Sequence, residues 1–219
     1  QMVNTGRWSN KKKTELEIQD MEIDVVASSE DTGYDRIPDF DPASVDSDAE
    51  YFHICSNETI GGIQWQDYPD TGDVPLVADM SSDIMSRDFD VSKFGAIYAG
   101  AQKNIGPAGA TLVIIRDDLV QRTPDGTPTM LRYDTHVKKD SMHNTPPVFT
   151  IYMINLVMEW LQEQGGLDAV EQRNRKKASK VYDVIDHSYF YQGVAEPDSR
   201  SNMNITFRLG DEELEEAFA

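Results

Sequence analysis

Cysteine is almost absent from this chain. Among 219 residues there is one, Cys55, which excludes an intramolecular disulfide and any cysteine-rich metal cluster. Long apolar runs are missing too. No stretch approaches the roughly 20 residues of a helical membrane span, and no signal-peptide pattern is visible, so no membrane partner is expected and cytoplasmic residence is the default. Positive charge is scarce: ten lysines and ten arginines face 39 aspartates and glutamates, for a formal net charge of −19. A surface of that sign repels nucleic acid and acidic membranes. It suits either a salt-adapted source, whose dense carboxylates stay hydrated in brine, or an ordinary acidic enzyme, the simpler expectation. Activity and melting temperature that do not change between low and molar salt would remove the salt-adapted reading. His136, His143 and His187 show no metal-ligand spacing, and His53, inside an apolar strand, reads as a core residue, so no metal site is expected. An initiating methionine is also missing. The chain opens on Gln1 and closes on a helix-like stretch, 212–219, without a stop signal, as an internal piece of a longer protein would.

What is present is enough apolar content, 39% of residues, for one substantial domain and part of another. Thr14 to Asp20 predicts a short helix, with Trp8 and Ser9 in a preceding turn. Ile23–Ala27, Tyr51–Cys55, Val74–Ala78, Ala96–Ala99 and Thr111–Ile115 are short apolar runs between polar loops, and residues 57–62 read as one such loop. That pattern predicts an α/β sheet with both faces covered. Ser28 to Glu50, acidic and rich in Asp, Ser and Pro, reads as an exposed connection. Pro146 and Pro147 predict a helix start with Asn144 or Thr145 as its cap. That helix runs to the stop at Gly165-Gly166, and an amphipathic surface helix follows over 167–185. Turn residues over 189–201 and an alternating segment, Met203 to Leu209, predict the first strand of a second, smaller domain. The expected division is therefore 1–190 and 191–219.

In open α/β sheets, ligands collect where strand ends meet loops. Here those ends carry Thr59, Asp79 and Lys103. Lys103 stands in a glycine-rich turn, Gly100-Ala101-Gln102-Lys103-Asn104-Ile105-Gly106-Pro107-Ala108-Gly109, between two apolar runs. A lysine so placed is open to partial desolvation, which favours the neutral amine that attacks an aldehyde such as that of pyridoxal phosphate. An incidental surface lysine fits the local pattern equally well. Asp79 is placed to hold the proton of a pyridinium nitrogen, or to act as a turn residue before Ser81 and Ser82. Trp8 is a flat stacking surface or plain core. Thr59 offers a donor to a ring hydroxyl, and Gln102, Asn144 and Thr145 offer donors to a phosphate. Glu58 reads as a neighbour of the cofactor shell or as a turn residue. Arg87 reads as an ion-pair partner of Asp83 or Asp90 or as a residue reaching the active site, with the pair preferred, and Lys11 to Lys13 as a solvated helix start in preference to an attractor of anionic substrate.

The order of four segments narrows these choices. Asn57-Glu58-Thr59-Ile60, then Ala78 to Arg87, then Tyr98 to Gly109, then His143-Asn144-Thr145-Pro146-Pro147 together closely resemble the phosphoserine aminotransferase family of fold-type-I transaminases. The likeness runs from Gly6-Arg7-Trp8-Ser9 to Asn202-Met203-Asn204-Ile205. It implies a pyridoxal phosphate enzyme with a mostly parallel sheet covered by helices in a large domain, plus the start of a small C-terminal α/β domain. It implies Lys103 as the Schiff-base lysine and proton shuttle, Asp79 as the pyridinium partner and Trp8 as the stacking residue. Thr59 becomes the ring-hydroxyl contact and Gln102 a phosphate contact. Asn144 and Thr145 become residues reaching the phosphate of a neighbouring subunit, hence a homodimer with shared active sites. The implied reaction is amino exchange between glutamate and 3-phosphohydroxypyruvate, a step of serine biosynthesis and in some bacteria of vitamin B6 synthesis. The family's substrate arginines and histidines, its Gly-Gly-x-Arg-Gly loop and most of its small domain find no match in this chain. The alternatives are another fold-type-I enzyme, such as a cysteine desulfurase or an alanine–glyoxylate aminotransferase, and an incomplete relative that only binds cofactor or dimerises.

Overall fold

A computed structural model describes residues 1–218; Ala219, the last residue of the expected terminal helix, lies outside the described residues. The sheet strands are β1 (Met2–Asn4), β2 (Val25–Ser28), β3 (Phe52–Cys55), β6 (Leu76–Asp79), β7 (Ala96–Gly100) and β8 (Thr111–Ile115). Between β3 and β6 lies a small antiparallel pair, β4 (Asn57–Glu58) and β5 (Ile63–Gln64), where the sequence reads as a plain loop. The helices are α1 (Arg7–Ile18), α2 (Asp117–Val120), α3 (Tyr133–Val137), α4 (Val148–Glu163), α5 (Gly166–Asp186) and α6 (Glu215–Phe218). β9 (Tyr191–Gly193) and β10 (Phe207–Leu209) form a separate antiparallel pair.

The six-stranded sheet has the order β2-β1-β3-β6-β7-β8. Its pairings are parallel except the last, where β8 runs antiparallel to β7 through five registered pairs, Ala96↔Ile115 to Gly100↔Thr111. The alternation of side chains along a strand separates two faces. Phe52, Ile54, Leu76, Ala78, Ile97 and Ala99 share the buried face and join Trp65, Phe94 and Ile105 in the main core, against which Ile154 and Met158 of α4 pack. The opposite face carries the row Cys55–Asp79–Tyr98–Val113 in register. Helix α1 lies against β1 and β3, and towards the β8 edge this face opens, with Val113 exposed.

Several boundaries differ from expectation for identifiable reasons. Helix α1 starts at Arg7, so Trp8 and Ser9 lie in its first turn and not before it. A carboxylate fifty residues away supplies the missing cap, as described below. At α4 the N-cap is Pro147, with no side-chain cap; neither Asn144 nor Thr145 performs that role, and Val148 donates its N–H to the Pro146 carbonyl. Gly165, at positive φ, separates α4 from α5, and Gly166, also at positive φ, opens α5. Along α5, Val170, Asn174, Ala178, Tyr182 and Ile185 are buried, one stripe at helical spacing. Ala178, Tyr182 and Ile185 form a second apolar cluster with Tyr191, Ile205 and Phe207 around β9 and β10. The acidic segment 28–50 is not wholly a solvated connection. Ile37, Phe40, Val45 and Ala49 pack on the core, and Phe40 stacks on Phe52 with centroids 5.5 Å apart.

Candidate active site

The chemistry-bearing residues collect at the C-terminal ends of β3, β6 and β7. β7 ends at Gly100 and the chain turns through Lys103 before returning as β8. The turn is closed by Ala101 N–H to the Ala110 carbonyl, and by Ile105 and Gly106 N–H to the Ala101 carbonyl. It rests on α4: a Cβ at Gly106 would stand 2.7 Å from Ile154 Cγ1, and Thr150 Oγ1 donates to the Ala108 carbonyl at 3.1 Å. Glycine is needed at 106 for close approach and at 109 for its φ of +113°.

Lys103 projects from this turn with its Nζ 5.1 Å from the centroid of the Trp8 ring. The Trp8 indole Nε1–H donates to Thr59 Oγ1 at 2.8 Å. Thr59, Ser82, Lys103, Asn104, Met203 and Asn204 line a pocket of about 450 Å³. Asn57 braces its walls: its amide donates to Ser82 Oγ and to Asn204 Oδ1, both at 2.8 Å, while Ser201 Oγ donates to its carbonyl oxygen. Ser82 and Asn204 leave no sequence signal because their places arise from this long-range bracing; Asn104, held by the Ile84 carbonyl, and Met203 line the pocket beside them. Lys103 is exposed, so the partial desolvation expected of it is not supplied by this chain's own side chains.

Asp79 ends β6, one strand over from the lysine-bearing strand. Its Oδ1 accepts the Ser81 N–H at 2.9 Å; among the described residues nothing donates to its Oδ2. Burial pulls the Lys12 ammonium below the usual lysine range, with the charge of Asp79 acting in the other direction. Lys12 lies 6.0 Å from the Tyr51 ring centroid and is half-buried, so it is not part of a solvated helix start. Burial, assisted by the Asp79 charge, raises the Tyr98 phenol above its ordinary range. Tyr98 OH contacts His53 Nε2 at 3.0 Å, while among the described residues His53 Nδ1 has no partner. Burial holds His53 neutral, with its pKa down to about 3.

Other expected residues are placed differently. The Gln102 amide folds back over the Cα of Gly100, where a Cβ would meet it at 2.7 Å, and does not line the pocket. Asn144 and Thr145 are exposed and also stand outside it, and the Asn144 amide lies 3.2 Å from Met130 Sδ. Arg87 forms no ion pair with Asp83 or Asp90 among the described residues. It donates to the carbonyls of Gln66 and Trp65 and to Tyr68 OH, and Tyr68 also receives its guanidinium face at 5.1 Å. Asp83 is instead buried against Ser56 Oγ and Gln64 Nε2, and burial raises its pKa.

Glu58 is neither a turn residue nor a pocket wall. It is buried, and its carboxylate reaches across to α1: Oε2 accepts the Trp8 N–H at 2.9 Å, and Oε1 accepts the Ser9 N–H at 2.8 Å and Ser9 Oγ at 2.9 Å. The Trp8 and Ser9 N–H groups are orphan donors of a helix N-terminus, where negative charge is favoured.

The described residues include no group of three or more His, Cys, Asp or Glu arranged to hold a metal, and no helix long and apolar enough to cross a membrane. The donor set is of another kind: one lysine over a flat indole, a carboxylate with a free oxygen, and a hydroxyl- and amide-lined pocket beside them. Curated phosphoserine aminotransferases from Niallia circulans and Bacillus subtilis are 54% and 52% identical to the chain over 217 residues, 99% of it and 60% of each of them. The solved phosphoserine aminotransferase from Bacillus circulans subsp. alkalophilus matches with a TM-score of 0.94 at 53% identity, covering 100% of this chain and 61% of that one. The pyridoxal-phosphate-bound enzyme from Trichomonas vaginalis matches with a TM-score of 0.87 at 37% identity, covering 95% and 59%. The chain thus spans about 60% of the length of the curated relatives it matches. With the class-V aminotransferase profile matching residues 2–218, a span that takes in the lysine turn and every strand of the sheet, the chain belongs to the class-V aminotransferase family.

Proposed function

We propose that this chain carries the cofactor-holding part of a pyridoxal-phosphate-dependent phosphoserine aminotransferase, which exchanges an amino group between glutamate and 3-phosphohydroxypyruvate, giving phosphoserine and 2-oxoglutarate. One observation carries the reading: Lys103 Nζ faces the Trp8 ring at 5.1 Å, and that indole is bonded to Thr59. A primary amine, a stacking plane and a hydroxyl therefore converge at one pocket mouth.

The residues present fit this cofactor. When bound, it supplies an electron-withdrawing ring that accepts the charge developing on the substrate α-carbon. Lys103 would hold the cofactor through its aldehyde, and its Nζ would be the base for the proton of the substrate α-carbon. The free Oδ2 of Asp79 would hold the proton on the ring nitrogen. Trp8 offers a flat face. Thr59 Oγ1 already accepts the indole N–H, so its own O–H proton remains to be donated to the ring oxygen. Gln102 is assigned to the phosphate, a role that requires its amide to swing off Gly100.

Asn144 and Thr145 make sense across a two-fold interface, each serving a second copy's phosphate, and we include a homodimer with shared sites in the proposal. Their exposure supports this, as does the exposed apolar start of α4 beside them, where Phe149 is 71% and Tyr152 58% exposed. The proposal also takes 1–190 as the large domain and 191–219 as the start of a small one, and places the enzyme in the cytoplasm. A cysteine desulfurase finds no support, because Cys55 is buried in β3 and burial raises its thiol pKa, far from a reactive thiolate on a loop.

The decisive experiment adds pyridoxal phosphate to the chain. A cofactor absorbance band should appear that Lys103→Ala abolishes, and peptide mapping after borohydride reduction should find the added mass on Lys103. A band that survives the substitution, or label on another lysine, would sink the assignment. Glutamate and 3-phosphohydroxypyruvate should then turn over only where the rest of the protein is supplied.

A further inference from the structure

We infer that Glu58 is a positioning residue that fixes the Trp8 indole where Lys103 faces it. The inference rests on the reading of Trp8 as the cofactor's stacking plane. Trp8 is only half-buried, so packing alone does not lock its ring. Two consecutive residues hold it instead. Glu58 accepts the backbone N–H of Trp8 and of Ser9, and Thr59 accepts the indole N–H. Backbone and side chain of one residue are thereby tied to a single dipeptide, fifty positions away in sequence.

The tie is itself rigid. Glu58 pairs with Ile63 in the β4–β5 ladder, and its carbonyl accepts the Gly62 N–H at 2.9 Å. On the helix side the chain has made room for the carboxylate. Gly6 adopts a φ of +155°, and a Cβ there would stand 2.9 Å from Glu58 Cδ and 3.0 Å from its Oε2. The charge matters as well as the shape. A buried carboxylate accepting from two backbone N–H groups at a helix N-terminus is held more strongly than a neutral amide, which would turn an N–H₂ against one of those donors.

The test uses the 219-residue chain and its Glu58→Gln and Thr59→Val variants. Hydrogen exchange is read at the Trp8 indole N–H, assigned by its loss in Trp8→Phe, and at the Trp8 and Ser9 backbone N–H, assigned by sequential connectivity. The buried Trp65 indole serves as a monitor of global opening. In Glu58→Gln, exchange at the Trp8 indole and at the Trp8 and Ser9 amides should rise about tenfold or more, as expected for a lost charge-assisted bond, with Trp65 unchanged. Thr59→Val should release the indole and leave the two amides protected. The dissociation constant for pyridoxal phosphate should weaken about tenfold in Glu58→Gln. Unchanged Trp8 exchange, Trp8 and Trp65 accelerating together, or a local Trp8 response with unaltered cofactor affinity would each overturn the positioning role. Failure of the unsubstituted chain to bind pyridoxal phosphate, with Trp8 responding as stated, would remove the functional reading and leave the Glu58–Trp8 coupling standing.

Discussion

Among single residues, His53 has the clearest solution consequence. Folding buries it neutral, with its pKa pulled from the ordinary histidine value of about 6.5 down to about 3. The unfolded chain therefore binds the extra proton first. This contribution to stability is fully present above pH about 6.5 and is lost progressively as the pH falls towards about 3. A His53→Gln variant keeps a polar partner for Tyr98 but does not titrate, so its melting temperature should fall less between pH 7 and pH 5 than that of the native chain. Identical slopes in a thermal melt series would refute the assignment. The sequence indicates His53 as a core residue because its neighbours in β3 are apolar. It also indicates Lys103, Asp79 and Thr59 as strand-end residues, since Asp79 follows directly on an apolar run and the other two stand four residues beyond one. Glu58 as the cap of α1 was not legible, because the contact joins positions fifty residues apart and leaves no periodic trace. For the same reason the sequence places Trp8 in a turn before a helix at Thr14, although the borrowed carboxylate lets the helix begin seven residues earlier, at Arg7.

Strands and helices were mostly visible as runs, but how they pair was not. Thr111–Ile115 is a strand in both readings, yet nothing in its composition states that it returns antiparallel to β7. A short turn after Gly100 permits only that direction, since a parallel return needs a crossover of a dozen or more residues. β1 escaped notice because three residues are too few for alternation to register. The seat of the lysine turn on α4 leads to an element-level prediction. Gly106→Val would drive a branched side chain into Ile154 Cγ1, which already stands 2.7 Å from an added Cβ. Overpacking of that kind costs about 1–3 kcal/mol. A urea midpoint lowered accordingly, together with weakened pyridoxal phosphate retention, is the expected result. An unchanged midpoint would mean that the turn and the helix are not in firm contact.

For the molecule as a whole, the start of α4 is the conspicuous feature: a helix whose apolar side chains largely face outwards. Among the described residues Val148, Phe149, Ile151, Tyr152 and Trp160 are each about half exposed or more, on a chain of net charge −19. Contiguous exposed apolar surface is uncommon on monomers and marks interaction sites. In the proposed homodimer it is covered. Phe149→Asp combined with Tyr152→Asp should shift the chain from dimer to monomer in sedimentation velocity and leave its far-ultraviolet circular dichroism unaltered. A native chain that sediments as a monomer at every concentration would contradict the shared-site arrangement. The fold class was readable at this scale from short apolar strands between polar loops, whereas the half-open sheet face was not, because a run of apolar residues does not report what lies across from it. The antiparallel return of β8 has one more consequence. Lys103 hangs on a connection whose two ends are stitched together by five registered residue pairs, so the turn is clamped at both feet. The opposite wall, Met203 and Asn204, is clamped as well, through the Asn57 amide and Ser201 Oγ, so the pocket is a frame bolted from two sides.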